Sequence, residues 1–426
     1  MNKSPFKSAT DLPARIIGLG RQMSWKQTFA ALRYPNYRLW FWGQMISLFG
    51  SWMQFTSQSF LIYELTRSSA YLGLVGFAGG LPTWLFMLYA GVVADRIPRR
   101  KLLILTQTAM MILAFLLAGL TFFHLVRPWH ILILAFGMGI ANAFDAPARQ
   151  AFVLEMVGPE AMTNAIALNS AMFNTATAAG PAVAGVVYAL FGPVWCFTLN
   201  GVSFIAVIAA LALMTLKKIE SPLVSRSVAQ DIREGLRFVA HHPMLRLLVI
   251  TAGFFTVSLF ATATLMPAWA VKILHGNSST NGFLQSARGV GALLGALLLA
   301  SLGGFKFRGK LLTLGTFAFP LSLLAFAFVR TTPLALLCLV SAGGALILIY
   351  NTLNALVQSF SPDSLRGRVM SIYSFVFFGF IPLGALWVGG TAEKIGEPAA
   401  VIIGAVLALL YATSIFVLVP KLRKLS

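Results

Sequence analysis

The chain has 426 residues, of which 58% are hydrophobic and only 10% are charged. A water-soluble domain carries about 25% charged residues, so this composition excludes a large soluble enzyme. Lys and Arg outnumber Asp and Glu by 32 to 12, giving a net charge of +20 that in a soluble protein would suggest nucleic acid. In a mostly apolar chain, basic cytoplasmic loops explain the excess better, so we expect a lipid bilayer and no nucleic acid as partner.

Twelve apolar runs follow a polar N-terminal tail, and each has close to the ~20 residues that a helical membrane span needs. They lie at 38–62, 72–94, 102–124, 129–150, 164–190, 194–216, 246–270, 282–303, 311–329, 333–356, 369–391 and 399–420. The longest polar interruption, 217–245, separates two sets of six. We therefore predict an all-α integral membrane protein with twelve transmembrane helices in two six-helix bundles, at 38–216 and 246–420.

Basic residues collect on alternate loops. The tail 1–37, the linker 217–245 and the C-terminal tail 421–426 are rich in Lys and Arg, whereas the loops of the opposite side hold only Arg67, Arg127, Lys272, Arg330 and Lys394. Because basic loops stay in the cytoplasm, we predict that both termini are cytoplasmic. Apolar residues from Val228 to Val239 recur on one helix face, which predicts an amphipathic helix on the membrane surface within the linker; a plain tether is the alternative.

The two halves of the chain repeat a polar motif. Asn142, Asp145 and Arg149 in the fourth run have counterparts at the same spacing in the tenth run, namely Asn351, Asn354 and Gln358. The spacing puts each trio on one helix face. In transporters built from repeats, the substrate site lies near the midplane between the halves. We therefore predict a pseudo-symmetric transporter whose substrate cavity includes Asn142, Asn351, Asn354 and Gln358.

The first run carries a stripe of polar residues that recur every three or four positions: Gln44, Ser47, Ser51, Gln54 and Gln58. Polar groups inside a membrane are costly, so we expect the stripe to face the cavity. Trp52 lies beside the stripe and is placed to stack on an aromatic ligand. Hydrogen bonding between helices is the alternative.

Charged side chains inside the predicted spans are few. Arg288, in the eighth run, needs a partner or an anionic ligand and is a further cavity candidate. Snorkelling to the outer surface or a structural hydrogen bond is the alternative. Among carboxylates, Asp145 lies within the fourth run and Glu64 at the outer mouth of the first, so these two are the candidates for proton coupling.

The segment GVVADRIPRR joins the second and third runs. It resembles the loop signature GxxxDRxGRR of the major facilitator superfamily, with Pro98 in place of the usual glycine; the matching residues are Gly91, Asp95, Arg96, Arg99 and Arg100. The resemblance implies the major facilitator fold, with Gly91 permitting close helix approach. It also implies that Asp95, Arg96 and Arg100 join Asp145 and Arg149 in an inner charge network that holds the outward-open state. Positive-inside anchoring, or a static Asp145–Arg149 ion pair, is the alternative.

The fifth run contains ATAAGPAVAG. It resembles the GxxxGPxxGG signature of the superfamily's antiporters, since Gly180, Pro181 and Gly185 match, while Ala176 and Ala184 depart from it. Small residues allow helices to pack closely, and the proline kinks the span. The match favours export over import, and generic small-residue packing is the alternative.

The segment from Asn142 to Val153, NAFDAPARQAFV, resembles a narrower branch of the superfamily that contains enterobactin exporters and macrolide efflux pumps. The resemblance covers nearly the whole chain. It implies a bacterial inner-membrane exporter driven by the proton gradient.

These patterns together predict export of an amphipathic small molecule, a siderophore or a lipophilic drug, by alternating access. Uptake, lipid flipping and a non-transporting scaffold are the alternatives. We predict no enzyme activity, no cofactor and no metal, because the chain has no paired catalytic carboxylates in a span, no HExxH and no GxSxG. We expect a monomer.

Overall fold

The computed structural model describes residues 29–215, 228–301 and 307–425. Residues 1–28 of the predicted N-terminal tail and 216–227, mostly in the predicted linker, lie outside the described residues. The described part is helical and contains no strand.

The first half forms six long helices. They are α1 (Pro35–Thr66), α2 (Ser69–Arg96), α3 (Arg99–Phe122), α4 (Pro128–Met156), α5 (Met162–Phe191) and α6 (Pro193–Leu213). Proline occupies the first turn of α1, α4 and α6, where its missing N–H has no partner to lose. Gly192, with φ +84°, makes the tight turn between α5 and α6.

The second half begins with a short helix and continues with six spans. The helices are α7 (Val228–His241), α8 (Pro243–Leu259), α9 (Ser278–Ser301), α10 (Arg308–Phe328), α11 (Thr332–Phe360), α12 (Arg366–Ile395) and α13 (Glu397–Leu418). After α8 the chain stays helical in short turns, tightening at Phe260–Leu265 and widening at Trp269–Ile273. Pro267 lies between these turns and cannot donate a backbone hydrogen bond, which accounts for the broken helix.

Ten of the described helical segments are long and apolar enough to cross a membrane. The two long helices outside this group, α1 and α5, have 32 and 30 residues but are more polar. Both pack against neighbours inside the bundle, α1 on α6 and α5 on α9, so lipid does not surround them. The number twelve for the transmembrane helices therefore stays a prediction.

The two halves repeat in space as they do along the chain. In the first half α2 packs on α4 and α3 packs on α6; in the second half α9 packs on α11 and α10 packs on α13. We call the end where α1 begins and α13 ends the tail face, and the opposite end the far face.

Candidate functional site

Two seams join the halves, and glycines bring their helices together. In the α2/α12 seam, a Cβ added to Gly73 would lie only 2.6 Å from the carbonyl oxygen of Ala385. Deeper along the same seam, Gly80 faces the ring of Pro382, and the indole N–H of Trp84 donates a hydrogen bond to the carbonyl of Gly379. These contacts lie in the far half of α2 and in the facing part of α12.

The α5/α9 seam contains the residues that the antiporter resemblance singled out. A Cβ on Gly185 would lie 2.5 Å from the carbonyl oxygen of Ser278, and Ser286 Oγ accepts a hydrogen bond from the N–H of Ala182 at 2.8 Å, next to Pro181. Gly180 instead faces α1, where its added Cβ would lie 2.7 Å from the Cβ of Trp52. These residues therefore lie at helix–helix contacts, as small-residue packing requires.

The halves are held together on the far side, whereas the same helices expose large side chains towards the tail face. Tyr89 on α2 is 63% exposed, Phe173 on α5 is 50% exposed and Leu294 on α9 is 54% exposed. We interpret the space that the seams leave between the halves as a cleft that widens towards the tail face.

The repeated polar motif has exposed members in both halves. Asn142 on α4 and Asn351 on α11 are exposed at corresponding positions. Gln358 is also exposed, and its Nε2 donates to Oδ1 of the partly buried Asn354 at 2.6 Å. Arg288 is partly buried on α9. Exposed amide groups are therefore present in both halves.

The polar stripe of α1 is mostly buried between helices. Gln44, Ser47, Gln54 and Gln58 are all at most 9% exposed, and Ser51 donates to the carbonyl of Ser47. Gln54 accepts a hydrogen bond from Asn200 of α6. In this conformation most of the stripe does not face open space; its contact with α6 corresponds to helix–helix hydrogen bonding. Asn200 is a polar residue inside the sixth apolar run, and that position was the signal that sequence reasoning missed.

Aromatic side chains, by contrast, do reach the open space beside α1. Phe55 is 57% exposed and makes an edge contact with Trp52, with ring centres 5.9 Å apart. Trp52 in turn lies 6.2 Å from Phe173 of α5. This group is a better stacking surface than the buried amides next to it.

Asp145 lies in a polar cluster between α3 and α4. It is 1% exposed and accepts hydrogen bonds from Thr106 Oγ1 at 3.0 Å and Gln107 Nε2 at 2.8 Å. Arg149 lies within 3.4 Å of the other carboxylate oxygen. The expected pairing of Asp145 with Arg149 is therefore present, and its surroundings belong to one half of the protein.

The charged loop between α2 and α3 makes contacts within the first half. Arg99 pairs with Glu155 of α4 at 2.6 Å, and Arg100 donates to the carbonyl of Ala212 at 2.7 Å. Arg96 is exposed, and the side chain of Asp95 lies outside the described part. An added Cβ on Gly91 would meet nothing within 4 Å, so no described helix approaches it closely in this conformation. Glu155 was not predicted, since its partner is distant in sequence.

Carboxylates that the sequence did not single out reach the start of α2 from α12 and α13 at the far face. Glu397 accepts from Ser69 Oγ at 2.8 Å and from Lys272 Nζ at 2.7 Å, and Glu393 accepts from Ser68 Oγ at 2.9 Å. The predicted Glu64 also lies at this face, where it accepts from the hydroxyl of Tyr188 within the first half. Among the described residues, no group of His, Cys, Asp and Glu is arranged to hold a metal ion.

Comparisons with known proteins agree with this architecture. The model of the family described as Transmembrane secretion effector matches residues 26–426. The multidrug efflux pump Tap of Mycolicibacterium fortuitum is 26% identical over 382 residues, which cover 86% of this chain and 91% of that protein. The enterobactin exporter EntS of Citrobacter koseri is 23% identical over 407 residues, which cover 91% and 95%.

A solved structure, that of the nucleoside transporter NupG, superposes with a TM-score of 0.69 at 16% identity, covering 90% of this chain and 98% of that one. At this identity the likeness speaks for the fold alone. The predicted all-helical major facilitator architecture and the exporter branch are both confirmed.

Proposed function

The chain belongs to the Transmembrane secretion effector family of major facilitator transporters, and we propose that it exports an amphipathic small molecule, a siderophore or a lipophilic drug, by alternating access. Its family and structural neighbours are membrane transporters rather than enzymes.

One observation carries the proposal: the two halves are sealed along the far side and separate towards the tail face. Alternating access needs such a seal, formed at one end at a time by helices that touch through small residues. Gly73, Gly80 and Gly185 supply the contact on this side. The arrangement is therefore the tail-open state of the transport cycle.

We place the tail face in the cytoplasm of a bacterium and the protein in its inner membrane. Arg99, Arg100, Arg366 and Arg368 all lie at the tail face, and the positive-inside rule puts such loops in the cytoplasm. The short helix α7 lies at this face too, where Glu234 pairs with Arg368 of α12 at 2.6 Å. Leu236, Arg233 and Arg237 are exposed on α7, which suits a helix on a lipid surface.

Exposed side chains that we assign to the cleft support this substrate class. Amides at Asn142 and Asn351 offer hydrogen bonds without charge, and Phe55, Phe173 and Tyr89 offer apolar area. This combination fits a molecule with an aromatic or apolar body and several polar groups. Tap is a multidrug efflux pump and EntS an enterobactin exporter, which supports a drug or a siderophore as the substrate.

We propose that the proton gradient drives export. The carboxylates available for coupling in the described residues differ in their surroundings. Asp145 is tied to Thr106, Gln107 and Arg149, which supports a structural role, whereas Glu64 is exposed at the far face. We retain both as coupling candidates.

The test is accumulation of labelled siderophores and lipophilic drugs in cells with and without the protein, before and after the proton gradient is collapsed. Export predicts lower accumulation that rises on collapse. A matched control is Gly282→Leu, whose side chain would clash with α5 at Pro181 and Gly185 and block far-side closure. Equal accumulation with the protein and with this variant would refute export of these molecules.

A further inference from the structure

The two seams close the far face with different chemistry. In the α5/α9 seam the hydroxyls of Ser278 and Ser279 donate to the carbonyl of Gly185 at 3.2 and 3.3 Å. Neither partner titrates near neutral pH. At the start of α2 the acceptors are instead carboxylates, Glu393 of α12 and Glu397 at the start of α13.

Glu397 is the buried member of this pair. It is 3% exposed, and it joins Ser69 of the first half to Lys272 of the second. Ser69 is itself fully buried as the first residue of α2. A buried carboxylate between two donors is stable only while both donors remain in place, so this contact connects the halves directly.

Glu393 caps α2 from the other half of the protein. Its Oε2 accepts from Ser68 Oγ at 2.9 Å and from the backbone N–H of Ala70 at 3.2 Å. The first N–H groups of a helix lack partners within the helix, and the helix dipole favours a negative charge beside them. The start of α2 is therefore held by an anion that α12 carries.

Further charged and titratable groups lie around this cluster on α1, in the turn Trp269–Ile273 and on α12. Lys272 lies 5.9 Å from the ring centre of Tyr63 on α1, and Arg67 at the end of α1 lies 6.0 Å from the same ring. Lys394 follows Glu393 on α12 and is exposed. Glu397 thus pairs directly with the Lys272 cation, and the cluster is held by charge as well as by apolar packing.

We infer that Glu393 and Glu397 form a charge-dependent latch that holds the far face closed. As anions they accept hydrogen bonds from Ser68, Ser69 and Ala70 across the seam. When protonated, each carboxyl loses its attraction for Lys272 or for the start of α2, and only a serine hydroxyl is placed to accept from its new O–H. Neutralisation therefore weakens the hold of α12 and α13 on the start of α2, while the hydroxyl–carbonyl contacts of the α5/α9 seam are unaffected.

The latch deepens the proposed function and rests on its alternating access. On the proposed orientation, protons from outside reach Glu393 and Glu397 first and favour the open far face, where substrate is released. Transport itself need not be measured to test the latch, so its failure is distinguishable from failure of export.

The experiment measures the separation of the halves in full-length protein in nanodiscs, by pulsed electron paramagnetic resonance. Spin labels are placed at Leu65→Cys and Ile395→Cys, which are 43% and 50% exposed at the far face, with Cys196 and Cys338 replaced by Ala. The variants are Glu397→Gln, Glu393→Gln and both together. Asp363→Asn is the control, because Asp363 is an exposed carboxylate whose ion pair with Arg366 lies within one half.

We expect the double Gln variant to raise the long-distance population roughly tenfold, and Asp363→Asn to leave it unchanged. The protein with both glutamates intact should show the same rise when the pH is lowered from neutral to about 3, below the ordinary range of a glutamate, and the double variant should lose this pH response. Glu393→Gln, at an exposed site, covers the case in which Glu397→Gln does not fold. Unchanged distances in every folded Gln variant would overturn the latch. If the double variant has a larger long-distance population but still responds to pH, the groups that sense pH are not Glu393 and Glu397.

Discussion

Trp84 of α2 donates its indole N–H to the backbone carbonyl of Gly379 on α12, across the boundary between the two halves. The bond lies at the deep end of the α2/α12 seam, beyond Gly80 and Pro382. Phe375 and Phe380 lie beside the same ring, with centres 6.1 and 6.4 Å away. Trp84 therefore lies at the closed end of the cleft and would block a substrate that enters from the tail face.

Trp84→Phe should weaken the contact between α2 and α12, because it removes the hydrogen-bond donor and keeps an aromatic ring. A hydrogen bond of this kind contributes about 1 kcal/mol, so we expect a shift of roughly fivefold towards the far-open state. The shift is measured as the rate at which a thiol reagent labels Leu81→Cys in protein without other cysteines. Trp129→Phe, at an exposed site on α4, is the control, and its labelling rate should equal that of the protein with both tryptophans. Equal labelling rates in Trp84→Phe and Trp129→Phe would show that the indole hydrogen bond does not hold the two halves together.

Asn142→Leu and Asn351→Leu should impair export without affecting folding. Both side chains are exposed, so their loss leaves no unpaired group in the core. Each lost hydrogen bond to substrate should lower the export rate roughly tenfold, and the thermal midpoint should stay unchanged. The rate comes from efflux of a labelled substrate, with Ser414→Ala on α13 as a control. Normal export by both Asn variants would move the binding site away from these amides.

Asp145→Asn should lower the stability of the protein and leave proton coupling in place. The buried carboxylate has three polar partners, and loss of one member of a buried pair costs about 3–5 kcal/mol at most. We expect a lower thermal midpoint, with the flux of the remaining folded protein still dependent on the proton gradient. If the flux no longer responds to the gradient while the midpoint is unchanged, Asp145 carries the proton.

Gln54 and Asn200 should behave as a coupled pair. Replacing either one by Leu leaves a buried amide without its partner, at a cost of about 1–3 kcal/mol. Replacing both should cost less than the sum, by about 1 kcal/mol or more in a double-mutant cycle of unfolding free energies. An additive result would mean that the two side chains do not interact in the membrane.

Relationships within one helix could be predicted from the sequence. Asp145 and Arg149 are four residues apart, so any helix through the segment brings them together. The twin motifs at Asn142 and Asn351 also revealed the duplication of the fold. The α7 segment was recognisable because its apolar residues recur on one face.

Contacts between helices could not be predicted from a single sequence. Arg99 meets Glu155 and Ser69 meets Glu397 only because distant segments pack together. Glu393 and Glu397 follow an apolar run at a loop, and nothing in that position distinguishes a buried carboxylate from a solvated one. The polarity of the stripe on α1 predicted that it faces the cavity. Which neighbour the stripe faces depends on the position of α6, and the sequence does not give that position.

Alternating access is tested most directly by measuring both faces of one variant. Gly80→Leu would force α2 away from Pro382 and keep the far seam apart. Spin-label distances are then compared for the far pair, Leu65→Cys with Ile395→Cys, and for a tail pair, Thr163→Cys with Ser364→Cys, both exposed. The far pair should lengthen while the tail pair shortens; a longer far distance with an unchanged or longer tail distance would contradict alternating access.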